Sequence, residues 1–295
     1  LLMLFDFQKV LQLVSEDLQK VEKEIEHNLS SEVDLLSTIN NYIGNSGGKR
    51  IRPILLLLCC KLCGYTGSRS IIISTTVEFF HTASLLHDDV LDGAKTRRGK
   101  DSTNLKWGNE AAVLAGDFLF SKAFQLMSED KDSHVMETLI QATLKMVEGE
   151  VMQLKWSKNM DISENTYFEI IDRKTARLIA ASCRAGAIIG KAPLEKEEAL
   201  ANFGANVGMA FQTIDDTLDF LAQENKFGKT IGKDLREGNI TLPLIHALKK
   251  CSQNDRTQLK KLLNSNTISD ADVVEIRTLI SRYNGFDYAR GIAQN

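Results

Sequence analysis

The sequence predicts an all-α fold, read as a single-domain helical bundle over residues 1–295. Three observations predict it. Only 3 of the 295 residues are proline, where ordinary composition would supply roughly 15, and proline costs about 3 kcal/mol inside a helix. Apolar side chains recur at three- and four-residue intervals along nearly the whole chain. No segment sustains a period-two alternation of β-branched residues, so strands are not required. The composition, 43% hydrophobic and 25% charged, is that of a folded protein rather than a disordered one. No Pro-rich, Ser-rich or low-complexity linker divides it.

In chain order, Leu4, Val10, Leu11, Val14, Leu18, Val21 and Ile25 predict an amphipathic helix of two or more segments. Glycines cluster at 44, 47 and 48, and Pro53 follows where a first helical turn tolerates it. That next helix should stop at the C-capping Gly64. Thr66-Gly67-Ser68 opens a long helix to about Asp92. A basic loop follows from Gly93 to Gly108, then helices over 110–128, 133–156, 164–190 and 195–222. Gly228 and Gly232 bracket a loop, followed by helices over 242–251, 255–263 and 270–282. The pattern from Gly285 to Asn295 is helical and stops abruptly, so the C-terminus is expected to be incomplete.

Charge and cysteine content exclude several function classes. With 36 basic and 39 acidic side chains, a net charge of -3 and a pI near 6.0, the chain has no basic footprint for nucleic acid. Its five cysteines include Cys59, Cys60 and Cys63. Cys60 and Cys63 form a CxxC without a second pair at zinc spacing, so buried reduced thiols are expected, as in a reducing cytoplasm. The longest apolar run, Ile54 to Cys60, has seven residues, well short of the ~20 of a transmembrane helix.

One pattern occurs twice. His87-Asp88-Asp89-Val90-Leu91-Asp92 contains a DDxxD, and Asp215-Asp216-Thr217-Leu218-Asp219 contains another. A shuffled chain with 20 aspartates would show that motif about 0.09 times, so composition does not explain two copies. On a helix the first and last aspartates of each motif stack on one face. Like charges there are unfavourable, aspartate is a poor helix former, and the helix C-terminus repels anions. A hard divalent cation compensates such a cluster, and Mg²⁺ suits carboxylates shared with substrate phosphates.

Basic residues follow each cluster. Gly47-Gly48-Lys49-Arg50-Ile51-Arg52-Pro53 puts cations in a glycine-rich turn before a helix, suited to an anion and equally to a solvated basic loop. Lys95-Thr96-Arg97-Arg98-Gly99-Lys100 comes within three residues of the first cluster, either as phosphate donors or as surface neutralisation. Lys174-Thr175 interrupts a run of small apolar residues, and Lys229 and Lys233 follow the second cluster. Carboxylates followed by cations, twice, imply more than one phosphate group. His81 lies seven residues before Asp88, on the same helical face. No Ser-His-Asp or Cys-His arrangement and no nucleotide-binding glycine motif stands out.

In this order, the sequence resembles the trans-isoprenyl diphosphate synthases, in particular long-chain polyprenyl (octaprenyl-like) diphosphate synthases. The resemblance runs from about Asn41 to Leu248. It rests on Gly48-Lys49-Arg50-Ile51-Arg52-Pro53, the first Asp motif with Arg97-Arg98-Gly99, Gly149-Glu150 with Gln153, Lys174-Thr175, Phe211-Gln212 with the second Asp motif, and Gly228-Lys229. It implies an isoprenoid synthase type I bundle around a central cavity, usually a homodimer. It implies further that Asp88, Asp89, Asp92, Asp215, Asp216 and Asp219 hold Mg²⁺ ions bridging to an allylic diphosphate such as farnesyl diphosphate. Arg97, Lys174, Thr175, Gln212 and Lys229 would bind that diphosphate. Lys49, Arg52, His81 and Arg98 would bind isopentenyl diphosphate. Catalysis would rest on Asp88, Asp89, Asp92, Lys174, Asp215 and Asp216. Many such proteins carry lysine where this chain has Asn239. Ala83 and Ser84, a turn before the first aspartates, are small where short-chain members carry a large aromatic, which implies a heptaprenyl to decaprenyl product. Phe79, Phe80, Phe120 and Phe124 are candidates for a deeper tunnel floor. The alternatives are a geranylgeranyl diphosphate synthase, a terpene cyclase, disfavoured by the second diphosphate set, and a noncatalytic subunit of a heteromeric synthase, disfavoured by two intact Asp motifs.

Overall fold

A computed structural model describes residues 7–221, 232–265 and 267–295. The described residues pack as two compact units, one built from the residues up to Thr143 with Leu178–Gly204, the other from Leu144–Arg177 with Ala205–Asn295.

In the first unit, α1 (Phe7–Asn28) is one continuous helix rather than two segments; its span holds no glycine or proline to break it. The short helix α2 (Asp34–Gly44) was not legible in the sequence. Eleven residues make a marginal helix in isolation. Tertiary contacts hold this one, with Ile39 buried and the buried Asn40 donating from Nδ2 to the Leu29 carbonyl at 2.9 Å. Helix α3 (Ile51–Leu62) ends before Gly64 at φ +79°, as its capping glycine predicts. Helix α4 (Arg69–Leu91) carries the first Asp motif at its C-terminus.

The basic loop is more ordered than expected. Strands β1 (Thr96–Arg97) and β2 (Lys100–Asp101) pair antiparallel around Arg98 and Gly99, both at positive φ, which is the geometry of a tight hairpin. A short helix, α5 (Thr103–Trp107), follows. The strands are too short for an alternation pattern to reveal. Helix α6 (Asn109–Asp130) then packs along α4, and α7 (Ser133–Trp156) matches its predicted bounds. Val14, Leu56, Ile73, Phe79, Phe80 and Leu119 are among the buried core residues. All five cysteines are free, with Cys59, Cys60 and Cys183 buried.

The expected helix over 164–190 is three pieces: α8 (Glu164–Ile171), a π-helical turn (Asp172–Ala176), and α9 (Arg177–Ile189). Helix α10 (Leu194–Leu221) carries the second Asp motif near its C-terminus. In the second unit, α11 (Lys233–Glu237), α12 (Leu242–Lys250), α13 (Gln253–Leu263), α14 (Asp270–Arg282) and α15 (Gly285–Gln294) enclose a core with Phe220, Leu244, Ile276 and Leu279.

Candidate active site

The first Asp motif closes α4, with Asp92 as its C-cap and its N–H donating to the Asp88 carbonyl. A helix C-terminus is a poor place for carboxylates, and the fold answers at Asp89. That residue is 1% exposed and forms an ion pair with Arg97, whose Nε donates to Oδ2 at 2.7 Å and whose Nη2 lies 2.6 Å from Oδ1. The β1–β2 hairpin carries Arg97 into place, and Asn104 Nδ2 donates to the carbonyls of Asp89 and Ala94 at 3.1 Å each. Arg97 therefore meets Asp89 in this structure.

The glycine-rich turn before α3 sorts its cations. Arg50, with φ 51°, turns inward and is buried. Its guanidinium donates to Glu22 at 2.6 and 2.9 Å and to Glu78 at 2.7 Å. Burial alone would lower its pKa, yet those two carboxylates hold it above the ordinary arginine value. Arg50 is structural. Lys49 stays exposed.

Arg52 differs. Desolvation pulls its guanidinium down to about 10 against the opposing charge of Glu78, and its buried Nε has no hydrogen-bond partner. Desolvation also lowers Arg98, with Arg50 and Arg97 repelling it and Glu78 opposing. His81 is pushed well below its usual value by burial, then by Arg52, Arg98, Arg97 and Arg50, which keeps the ring neutral at physiological pH. A Cβ on Gly48 would stand 2.8 Å from Arg50 Nη1 and 3.0 Å from Arg98 Nη1, so both guanidiniums approach the turn closely. The result is a concentration of desolvated positive charge that Glu78 alone does not offset, as an anion site requires. Glu78 went unrecognised in the sequence; its signal is a charged residue inside the apolar stretch Val77–Phe80.

The second unit holds the other set. A Cβ on Gly149 would stand 2.7 Å from the Lys174 backbone nitrogen, so the glycine admits the π-helical turn against α7. Lys174 Nζ meets Glu150 Oε2 at 2.6 Å and Gln153 Oε1 at 3.4 Å. Thr175 Oγ1 donates to Gln212 Oε1 at 2.8 Å, Gln212 Nε2 donates to Asp216 Oδ1 at 2.7 Å, and the Tyr167 hydroxyl donates to Asp216 Oδ2 at 2.7 Å. Asp219 accepts the backbone N–H groups of Lys233 at 3.2 Å and Asp234 at 3.1 Å. Lys229 lies outside the described residues.

Three carboxylates of this unit, Asp216, Asp219 and Asp234, are held at a penalty. Burial raises the Asp216 carboxyl to about 6, with Gln212 and Tyr167 opposing and Asp215 and Asp219 adding to the rise. Burial also raises Asp219, and it raises Asp234 well above the usual range, reinforced by Asp216 and Asp219. Asp234 belongs to this electrostatic cluster although no motif marks it.

Comparison with known proteins identifies relatives of the chain. The chain matches the polyprenyl synthetase family over residues 33–280. It is 38% identical over 291 residues to the octaprenyl diphosphate synthase of Haemophilus influenzae, covering 99% of this chain and 88% of that one. The chain belongs to the polyprenyl synthetase family. Component 2 of the Bacillus subtilis heptaprenyl diphosphate synthase is 38% identical over 264 residues, covering 90% of this chain and 75% of that protein. A crystal structure of a Caulobacter crescentus polyprenyl synthase, complexed with calcium and isoprenyl diphosphate, superposes with a TM-score of 0.94 at 36% identity over 98% of this chain and 88% of that one.

The donor set of this polyprenyl synthetase fits a hard cation. Asp215, Asp216 and Asp219 offer only carboxylate oxygens, and their mutual repulsion is what a divalent ion relieves. Among the described residues, no group of three or more acidic, histidine or cysteine side chains is placed to hold a metal ion by itself. An ion here would complete its shell with water and phosphate oxygens, the habit of Mg²⁺.

Proposed function

We propose that the whole chain, 1–295, acts as one polyprenyl synthase domain, a prenyltransferase condensing isopentenyl diphosphate head-to-tail with an allylic diphosphate such as farnesyl diphosphate. Its product is a long-chain all-trans polyprenyl diphosphate. One observation carries the reading: the surplus of desolvated positive charge formed by Arg52, Arg98 and their neighbours around a neutral His81. A diphosphate neutralises that charge, and an enzyme with a single diphosphate substrate has no need of it beside an aspartate-rich site.

In this reading Lys49, Arg52 and Arg98 grip the diphosphate of isopentenyl diphosphate, and His81 donates one N–H to it. Lys174, Thr175, Gln212 and Lys229 bind the allylic diphosphate, with Arg97 shared between it and Asp89. Asp88, Asp89, Asp92, Asp215, Asp216 and Asp219 hold Mg²⁺, which when bound offsets the charge that develops on the leaving diphosphate. Lys174 would stabilise the same charge, so that the allylic C–O bond ionises with little solvent reorganisation. The isopentenyl double bond attacks the allylic cation, and a proton leaves to the released diphosphate. No protein nucleophile is needed. Apolar walls keep water from the cation.

Small residues at 83 and 84, together with the octaprenyl-forming relative, support a product from heptaprenyl to decaprenyl. The exposed stripe Ile140, Leu144, Val147, Val151 and Leu154 on α7, spaced by threes and fours, supports a homodimer. A cytoplasmic enzyme is the reading we favour; among the described residues no helix is long and apolar enough to cross a membrane. The two-component relative from Bacillus subtilis favours a second reading, in which this chain needs a partner.

The test is incubation of the purified chain alone with farnesyl diphosphate, labelled isopentenyl diphosphate and Mg²⁺. A ladder reaching seven or more isoprene units is expected. A product that stops at four units makes it a geranylgeranyl diphosphate synthase, and absence of elongation points to the two-component reading.

A further inference from the structure

We propose that Tyr42 is a positioning residue that holds the β1–β2 hairpin against α2, so that Arg98 is presented to the diphosphate of isopentenyl diphosphate. The inference rests on the reading of Arg98 as a donor to that diphosphate. Two stretches far apart in the sequence supply the cations of that site, the glycine-rich turn with Lys49 and Arg52 and the hairpin with Arg98. They meet closely, since a Cβ on Gly48 would stand 3.0 Å from Arg98 Nη1. A hairpin of two-residue strands has too little pairing to keep an orientation by itself. Its base is fixed to the end of α4, where the Ser102 N–H donates to the Lys95 carbonyl at 3.0 Å and Asn104 Nδ2 to the Ala94 carbonyl at 3.1 Å. The tip, Arg98 and Gly99, still has to be held from the side.

Helix α2 supplies that hold. The Tyr42 hydroxyl donates to the Asp101 carbonyl at 2.8 Å, and Lys100 Nζ donates to the carbonyl of Asn45, the C-cap of α2, at 2.8 Å. Both ties act on β2, the strand that leaves the tip. The Tyr42 ring meets Trp107 of α5 edge-on with centroids 5.0 Å apart. Lys106 Nζ lies 4.2 Å from the Tyr42 ring centroid and 4.7 Å from that of Trp107, a cation shared by two aromatic faces. Tyr42 thus grips β2 with its hydroxyl and the helix after it with its ring. Tyr42, Gly47, Arg98 and Asp101 line one cavity, so these contacts are made at the site and not remote from it. A phenylalanine would keep the ring contacts and lose the carbonyl. Lys100, open in the sequence between phosphate donor and surface charge, is here a second tie between hairpin and helix. Tyr42 belongs to no motif, because its partner is a main-chain carbonyl 59 residues away, which no local pattern marks.

The experiment is a double-mutant cycle on the full chain, read as the calorimetric Kd of isopentenyl diphosphate with no allylic substrate present, so that nothing turns over. Tyr42→Phe removes only the hydroxyl. It should keep a melting temperature within a few degrees of the parent and weaken binding about 3- to 10-fold, the size of one hydrogen bond. A residue that acts through Arg98 has nothing to act on once Arg98 is gone. In an Arg98→Met background, Tyr42→Phe should therefore change Kd less than about twofold, whereas a loss of general structure would carry through in full. Where Arg98→Met binds too weakly to measure, Arg98→Lys takes its place in the cycle. A parent-like Kd for Tyr42→Phe overturns the proposal, and so does the same weakening in both backgrounds. Where the phenyl variant does not fold, Lys100→Met removes the second tie and is read by the same cycle. Arg98→Met alone is the control on the premise. If it keeps the parent's Kd, or if the parent does not bind isopentenyl diphosphate, the reading of Arg98 as a diphosphate donor fails. If it weakens binding while Tyr42→Phe does not, only the positioning role fails.

Discussion

Arg50 and Arg52 stand two positions apart in one basic turn and have opposite electrostatic fates. Arg50 is enclosed by Glu22 and Glu78; Arg52 is desolvated with an unpartnered Nε. Replacing Arg50 with methionine strands the buried Glu78 carboxylate, and breaking a buried pair this way costs about 3–5 kcal/mol. Urea denaturation of Arg50→Met should show that loss. Arg52→Met should match or exceed the parent in the same experiment, because it removes a charge the fold does not pair, while KM for isopentenyl diphosphate rises at least ~10-fold, as loss of a charged phosphate contact predicts. Asp216 gives a pH signature. Its folded-state carboxyl is raised to about 6 from an unfolded value near 3.8, so between those values the folded chain holds a proton the unfolded chain has released. Stability from this group is therefore present at low pH and lost as pH rises through about 6. His81 acts in the opposite sense: its lowered value makes stability fall as pH drops below about 6.5. The two overlap, so the readout is a difference. In EDTA, the melting temperature of Asp216→Asn minus that of the parent should grow as pH is raised from 5 to 7. A flat difference would remove the electrostatic penalty assigned to Asp216.

Elements place these residues where sequence periodicity alone would not. Helix α4 presents Ala83 fully buried and Ser84 partly exposed, with Ser84 Oγ donating to the His81 carbonyl at 2.8 Å. Large aromatics at these two neighbours should therefore act differently. Ser84→Phe should keep a near-parent melting temperature and shorten the product by several isoprene units on reversed-phase chromatography. Ala83→Phe forces a ring into a packed interior and should lose about 1–3 kcal/mol of stability; unchanged chain length in Ser84→Phe would detach residue 84 from the product tunnel. The π-helical turn was read as plain helix because one extra residue per turn leaves an apolar pattern almost unchanged over five residues. Its signal was present in Gly149, since the close approach of Lys174 to α7 needs a position without a side chain. The β1–β2 hairpin was hidden in the same way: two-residue strands have no alternation, and only Arg98-Gly99 marks the turn.

For the whole molecule, the exposed apolar stripe on α7 bears on assembly. Light scattering should give twice the 32.9 kDa chain mass, and Leu144→Glu with Val151→Glu should halve it; a parent that is already monomeric would end the homodimer reading. The near-neutral charge of -3 conceals how unevenly the charges are placed. Six of the 20 aspartates lie in two five-residue segments, and in each unit cations lie close by. Sequence alone carried the all-α class, nearly every long helix, and the two Asp motifs with the cations that follow them. Those depend on local properties: helical periodicity, proline content and the spacing of charges along the chain. Tertiary structure was needed to show that Arg50 is a buried structural ion paired with Glu78 while the Arg52 Nε has no partner, that Arg97 is held by Asp89, and that Tyr167 and Gln212 both donate to Asp216. Desolvation and long-range pairing decide such roles, and both depend on which side chains the fold brings within about 3 Å of each other, information that no local pattern carries.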